Sequence, residues 1–244
     1  MSSDQDRSLE ELKRLNKQFD QQLSEFKKSK SRKQTTSWKR FFVKFLLLIM
    51  GLFLPFIILV RTSVYFYQDY QANGWLALGI GCSATVLLLM VYGGTFIYRF
   101  GIGKRAFRLF SQGILVLVVA YAFYGMMYYS SLNTKTDEIH SYYRSLHPII
   151  RVALTTVTLA NSDMIVTDIQ RVPEDYDRMG LPENEQSLHY VQSSGYVHAV
   201  DLRTKGRAEW QNNILRLTFR MLGLSTIRHY GTADHLHVYL SVHK

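Results

Sequence analysis

Cysteine and proline are scarce in this 244-residue chain, with one Cys and four Pro, and charged side chains are missing from three long stretches of it. A lone cysteine excludes an internal disulfide, so any folded part rests on its apolar core or on a metal. Cys82 falls inside the second uncharged stretch, which leaves residues 129–244 without a thiol. The uncharged stretches exclude a further class: with no Asp, Glu, Lys, Arg or His inside them, nothing marks an ion or substrate pathway across a membrane. The mean hydropathy of −0.06 averages over this segregation, so the halves are read separately.

The stretches are Phe45 to Val60, Leu76 to Tyr98 and Leu109 to Tyr128. A bilayer core about 30 Å thick takes roughly 20 helical residues. The second and third fit directly, and the first fits once Phe41 to Val43 are added. Pro55 and the glycines at 79, 81, 93 and 94 would weaken a soluble helix. In lipid the backbone stays hydrogen-bonded, and small residues let helices approach. The first run begins some forty residues in and two more follow it, which argues against a cleaved signal peptide.

Residues 1–44 carry twelve Lys or Arg against six Asp or Glu, and the 99–108 loop carries Arg99, Lys104, Arg105 and Arg108 with no acid. Residues 129–244 balance twelve basic against twelve acidic side chains, so the net charge of +10 resides on two segments that three spans place on one side. The positive-inside rule makes that side the cytoplasm. The expectation is a multi-pass protein of the cytoplasmic (inner) membrane: residues 1–44 inside, 45–128 crossing, and 129–244 an extracytoplasmic or periplasmic domain. Trp38, Tyr65, Tyr67, Trp75, Tyr128 and Tyr129 near the span ends suit the interface. An isoelectric point near 9.6 then has a membrane explanation, with Lys27 to Lys44 touching anionic lipid, and no nucleic-acid partner is expected.

Ser8 to Phe26 reads as a helix, with Ser8 at the N-cap and Glu11 three residues on. Leu9, Leu12, Asn16, Phe19, Leu23 and Phe26 form one stripe, which either pairs copies into a homo-oligomer or lies on the membrane surface. The rest reads as an α+β domain with a small antiparallel sheet. Asp137 to Ala160 is helical with a break at Pro148, Met164 to Ile169 a strand, and Val172 to Gln186 a long loop. Leu188 to Val191 and Tyr196 to Leu202 alternate as a hairpin, and Glu209 to Leu222 is an amphipathic helix stopped by Gly223. Ser225 to His229 and His235 to Val242 finish as strands, while Tyr190, Val197, Trp210, Leu215 and Phe219 read as core.

Six of the eight histidines lie between His189 and His243, and His235 and His237 share one face of the last strand, a spacing suited to half a metal site. Upstream stand Ser187-Leu188-His189-Tyr190 and Ala199-Val200-Asp201-Leu202. That order, over about residues 150–244, resembles the zinc-binding superfamily of D-alanyl-D-alanine carboxypeptidases, LD-endopeptidases and the signalling domain of hedgehog proteins, and is especially close to the hedgehog version. The resemblance implies that family's sheet, zinc as cofactor, and His189, Asp201 and His237 as ligands, with Ser187 at the substrate surface. Val166 to Arg171 is similar to the family's strand ending in an arginine that grips a substrate carboxylate, a task suited to a planar guanidinium. The catalytic base falls on His235, with Asp234 its local competitor; the acid of the hedgehog pattern falls on Gly231.

The stretch from His189 to Asp201 is longer than the family's spacing. As a regular hairpin it would set His189 opposite His198, with both facing away from Asp201, and His198 is then the substitute ligand. A bulge reconciles either choice. The implied activity is that of a membrane-anchored zinc metallopeptidase hydrolysing D-amino-acid-containing bonds of peptidoglycan stem peptides. Beside it stand a non-catalytic domain of the same fold that binds cell-wall fragments or a protein partner, and an oligomeric membrane assembly capped by that domain.

Overall fold

The computed structural model describes residues 3–242 apart from 102, 181, 183, 185, 232 and 233; the side chains of 3–12, 28–37, 104, 178 and 179 also lie outside the description. Residues 1–53 and 54–244 are two compact units. Helix α1 (Ser3–Asp69) is unbroken, so the expected N-terminal helix, the basic segment and the first span are one element. No glycine or proline occurs between residues 3 and 50 to stop it. Ser8 is consequently inside the helix rather than at its cap. The side chains of Ser8, Leu9, Glu11 and Leu12 lie outside the described residues. Phe19, Leu23 and Phe26 are exposed, as is Leu15.

Three helical segments are long and apolar enough to cross a membrane: Trp38–Asp69, Gly74–Phe100 and Arg105–Met127. The chain therefore fits a multi-pass membrane protein. Asn73 caps α2 (Gly74–Phe100) by accepting the Trp75 N–H at 2.9 Å, and Gly101 closes it at φ +64°. The third span forms most of α3 (Lys104–Met127). Helices α1 and α2 meet at Gly81, where a Cβ would lie 2.1 Å from Ser63 Oγ and 2.4 Å from the Leu59 carbonyl oxygen. Gly81→Val is thus expected to force these helices apart at a cost of about 1–3 kcal/mol. Gly79→Ala meets nothing within 4 Å and is expected to cost no stability, or to gain up to about 1 kcal/mol from helix propensity. Thermal unfolding of the two variants in one detergent checks the contrast.

The remaining chain is α+β. Beyond α4 (Asp137–Ser141), a 3-10 turn leads to α5 (Pro148–Ala160). The break at Pro148 has its expected cause: proline takes the first helical position, where a missing N–H costs nothing, and His147 Nδ1 accepts the Ile149 N–H. Four antiparallel strands follow, β1 (Val166–Asp168), β2 (Ala199–Arg203), β3 (Ser225–His229) and β4 (His235–Tyr239), in the order β1-β2-β4-β3. Between β2 and β3 runs α7 (Glu209–Met221).

Three expectations change. The segment expected as a long loop holds α6 (Pro173–Met179), opened by Pro173 and by Asp175 accepting the Val172 N–H at 2.8 Å, and closed by Gly180 at φ +65°. The expected hairpin reduces to a single bridge between Val191 and Val197, because Gln192 to Tyr196 fold into a tight loop on themselves. Trp210 is 64% exposed, lying on the solvent side of α7 opposite the buried Leu215 and Phe219.

Helices α5 and α7 cover one sheet face, where Val200, Leu202, Leu236 and Val238 bury against Ile150, Leu154 and Phe219. This core runs without interruption into Leu59, Val60 and Val64 of α1, Leu78 of α2 and Met126 of α3. Polar ties cross the same junction: Arg151 donates to the Met126 carbonyl at 2.7 Å, Tyr143 to the Gly125 carbonyl, and Tyr121 bonds Thr156 at 2.8 Å. A cation on the last carbonyls of α3 also suits the negative end of its dipole. The boundary expected near residue 128 is therefore no gap in the packing.

Candidate metal centre

Alternation along β2 and β4 builds the site. Residues 200 and 202 on β2, and 236 and 238 on β4, point into the core, so Asp201, His235 and His237 stand on the opposite face. Register then pairs Asp201 directly with His237. His189 arrives from the loop before β2, its backbone N–H donating to Ser187 Oγ at 3.3 Å.

These three side chains converge. His189 Nε2 is 3.3 Å from His237 Nδ1 and 3.4 Å from Asp201 Oδ1, and His237 Nδ1 is 2.7 Å from Asp201 Oδ1. His189, Asp201 and His237 are a group that could hold a metal ion, and among the described residues it is the one such group. Its fit is testable from distances: ligand atoms about 2.0–2.1 Å from a tetrahedral zinc ion lie about 3.3 Å apart. Two separations match, and the third is a hydrogen bond that lengthens when its proton gives way to a metal. His189 Nδ1 lies 2.7 Å from the Ile169 carbonyl oxygen, an acceptor, so that nitrogen carries the proton and Nε2 presents its lone pair to the group.

Asp201 is 3% exposed. Burial by itself would raise its carboxyl pKa, but the surrounding imidazoles of His189, His237 and His235, with the His237 hydrogen bond among them, outweigh it and hold the carboxyl well below the usual carboxylate range. Arg171 contributes as well: Nη2 donates to Asp201 Oδ2 at 3.0 Å and Nε to Asp168 Oδ2 at 2.6 Å. Burial disfavours that guanidinium's charge, yet Asp168 and Asp201 together raise its pKa.

The other expected residues fall in distinct places. His198 does not join the group. It is buried on the far side of β2 with its ring 4.9 Å from that of His147, so His189 is the imidazole brought to Asp201. His235 Nε2 is 3.6 Å from Asp201 Oδ2, on the same face. Asp234 is engaged elsewhere: Arg228 grips both its oxygens and Thr204 donates to Oδ1 at 2.9 Å, and the Arg228 bond first of all holds its pKa down. Ser187 is buried, and its Oγ accepts the His189 backbone N–H. Gly231 has φ +127°, a conformation that would strain an acid or any other residue with a Cβ at this position.

Two participants went unread in the sequence. His229 stacks on His235 with ring centroids 4.7 Å apart and meets His237 edge-on at 6.1 Å. Burial, then the neighbouring His235 and His237, push its pKa down. Only the β3–β4 register, which pairs His229 with His235, reveals it. Asp168 had a local signal, an acid three residues ahead of Arg171. No protein-family model, curated protein or solved structure matches this chain.

Proposed function

We propose that the protein is a membrane-anchored zinc metallopeptidase whose centre is His189, Asp201 and His237, and that it cleaves D-amino-acid-containing bonds of peptidoglycan stem peptides outside the cytoplasmic membrane. The observation that carries the metal is the convergence of two imidazole nitrogens and a buried carboxylate on one sheet face. The substrate rests on the resemblance to the carboxypeptidase and hedgehog superfamily, and the compartment on the positive charge flanking the spans.

Zinc bound there would supply Lewis acidity towards a peptide carbonyl and towards water. The chain's own residues do the rest. Ile169 fixes the His189 tautomer, and Arg171 keeps Asp201 ionised and oriented. His235, 24% exposed beside Asp201, is placed to take a proton from the attacking water and hand it to the leaving amine nitrogen as the C–N bond breaks. Arg171 has two nitrogens committed to Asp168 and Asp201, so any grip on a substrate carboxylate falls to its remaining edge.

A second reading, a non-catalytic zinc domain that binds cell-wall peptide, is favoured by one observation: with Gly231 where an acid was expected and Asp234 bound by Arg228, no free acid stands next to the centre among the described residues. Elemental analysis of the purified full chain, together with turnover of a synthetic stem peptide ending in D-alanine, separates the readings. About one zinc per chain with hydrolysis, both lost in His237→Ala and only hydrolysis lost in His235→Gln, is the expected result. Zinc without hydrolysis leaves the binding domain, and no zinc removes both.

A further inference from the structure

Two cavities outside the metal centre share a residue. A groove of about 590 Å³ runs between the start of α2 and the end of α3, lined by Leu78, Val86, Leu115, Val119 and Phe123, with Trp75 at its end. Leu87, Leu115, Val119 and Phe123 are exposed along it, so in a bilayer the groove opens sideways to lipid. Trp75 also lines a second cavity, of about 380 Å³, beside the turn that joins α1 to α2. That cavity is polar and uncharged: among the described residues lining it there is no Asp, Glu, Lys or Arg.

The chemistry of the second cavity is specific. Trp75 and Tyr196 supply aromatic faces, while Gln71, Asn73 and Ser194 supply amide and hydroxyl groups; Tyr67, packed against the His147 and His198 rings, forms its floor. Flat rings take the C–H faces of a sugar, and neutral amides and hydroxyls meet its hydroxyls without the desolvation cost of a charge. His147 adds a directed donor. It is 1% exposed, and because its Nδ1 accepts the Ile149 N–H, the proton sits on Nε2, the ring atom that lies over Gly74 at the cavity. A Cβ at position 74 would come within 2.4 Å of that nitrogen, so only glycine lets the chain pass this close to the ring. Gln71 holds φ +51°, an angle non-glycine residues rarely keep, at the cavity's rim. A phosphate headgroup would call for lysine or arginine, and the described lining has neither.

We infer that the groove and the cavity form one site for a glycolipid, with its hydrocarbon chain between α2 and α3 and an uncharged sugar headgroup against Tyr196 beside Gln71, Asn73 and Ser194. Trp75 sits where chain and sugar join, the position at which an indole bridges apolar and polar surroundings. The site uses none of the residues of the metal centre and stands or falls independently of it.

The test uses the full chain in phospholipid nanodiscs, with Trp38→Phe and Trp210→Phe leaving Trp75 as the sole tryptophan. A glucosyl diacylglycerol with dibrominated chains is expected to quench Trp75 saturably, at least tenfold more tightly than phosphatidylcholine carrying the same chains. Gln71→Ala, at the exposed rim, should weaken this at least threefold. Gly79→Leu fills the groove from a position with nothing within 4 Å, and should weaken it at least tenfold. Equal quenching by brominated phosphatidylcholine, or glycolipid quenching indifferent to both substitutions, overturns the site. Full competition by free glucose at equal affinity overturns the chain-binding half.

Discussion

Replacing Asp201 by alanine is expected to abolish zinc retention and to cost the metal-free protein about 3–5 kcal/mol of stability, because it removes one side of a buried charge cluster. Arg171 and His237 both donate to this carboxylate, and Asp168 alone cannot answer the guanidinium at Nη2. Asp201→Asn separates the two consequences. It keeps the shape and an acceptor oxygen, so its stability loss should be smaller, while a neutral amide remains a poor zinc ligand. Elemental analysis reads the first effect and urea titration of chelator-treated protein the second. A variant that keeps stoichiometric zinc would remove Asp201 from the centre.

The second large effect belongs to His147. Its imidazole pKa is lowered to about 3, first by burial and then by the charges of His198 and Arg151. The sign follows from which state binds the proton. Above pH about 6.5 neither state is protonated at this residue, and its contribution to stability is complete. Between about 6.5 and 3 the unfolded chain binds a proton that the folded protein refuses, so stability falls by about 1.4 kcal/mol per pH unit, roughly 4–5 kcal/mol in all. Asp201, with its lowered pKa, adds a further loss as the pH drops below about 4. His147→Asn keeps an acceptor at the cap of α5 and should flatten the upper part of this curve. Urea titrations of chelator-treated protein at pH 7, 5.5 and 4 measure the slope; equal slopes for the two proteins would contradict the assignment.

What the sequence made legible had short range. Uncharged runs announced the spans because a bilayer leaves few other places for them. Alternation in His235 to Tyr239 announced a face bearing His235 and His237, because side-chain direction in a strand is fixed by parity, while Asp201 entered through the family resemblance. The choice between His189 and His198 was not legible, since it depended on whether Gln192 to Tyr196 kept regular pairing or closed on itself. The pairing of His229 with His235 needed strand register, and the grip of Arg228 on Asp234 needed the turn between β3 and β4. Trp210 misled for the opposite reason: a large apolar residue on an amphipathic helix looked internal, although the helix turns it outward. The two cavities meeting at Trp75 join residues more than a hundred positions apart, beyond the reach of any local pattern.

The fastening of α5 to the end of α3 by Arg151 and Tyr143 sets a working distance. A catalytic head on a flexible stalk sweeps a volume and finds its targets by swinging. Here the sheet domain is packed onto its helices, so on the peptidase reading proposed above His189, Asp201 and His237 would work at a single height above the lipid surface. Only material lying within that thin layer comes within reach, and the ruler that defines the layer is the packing of the protein itself.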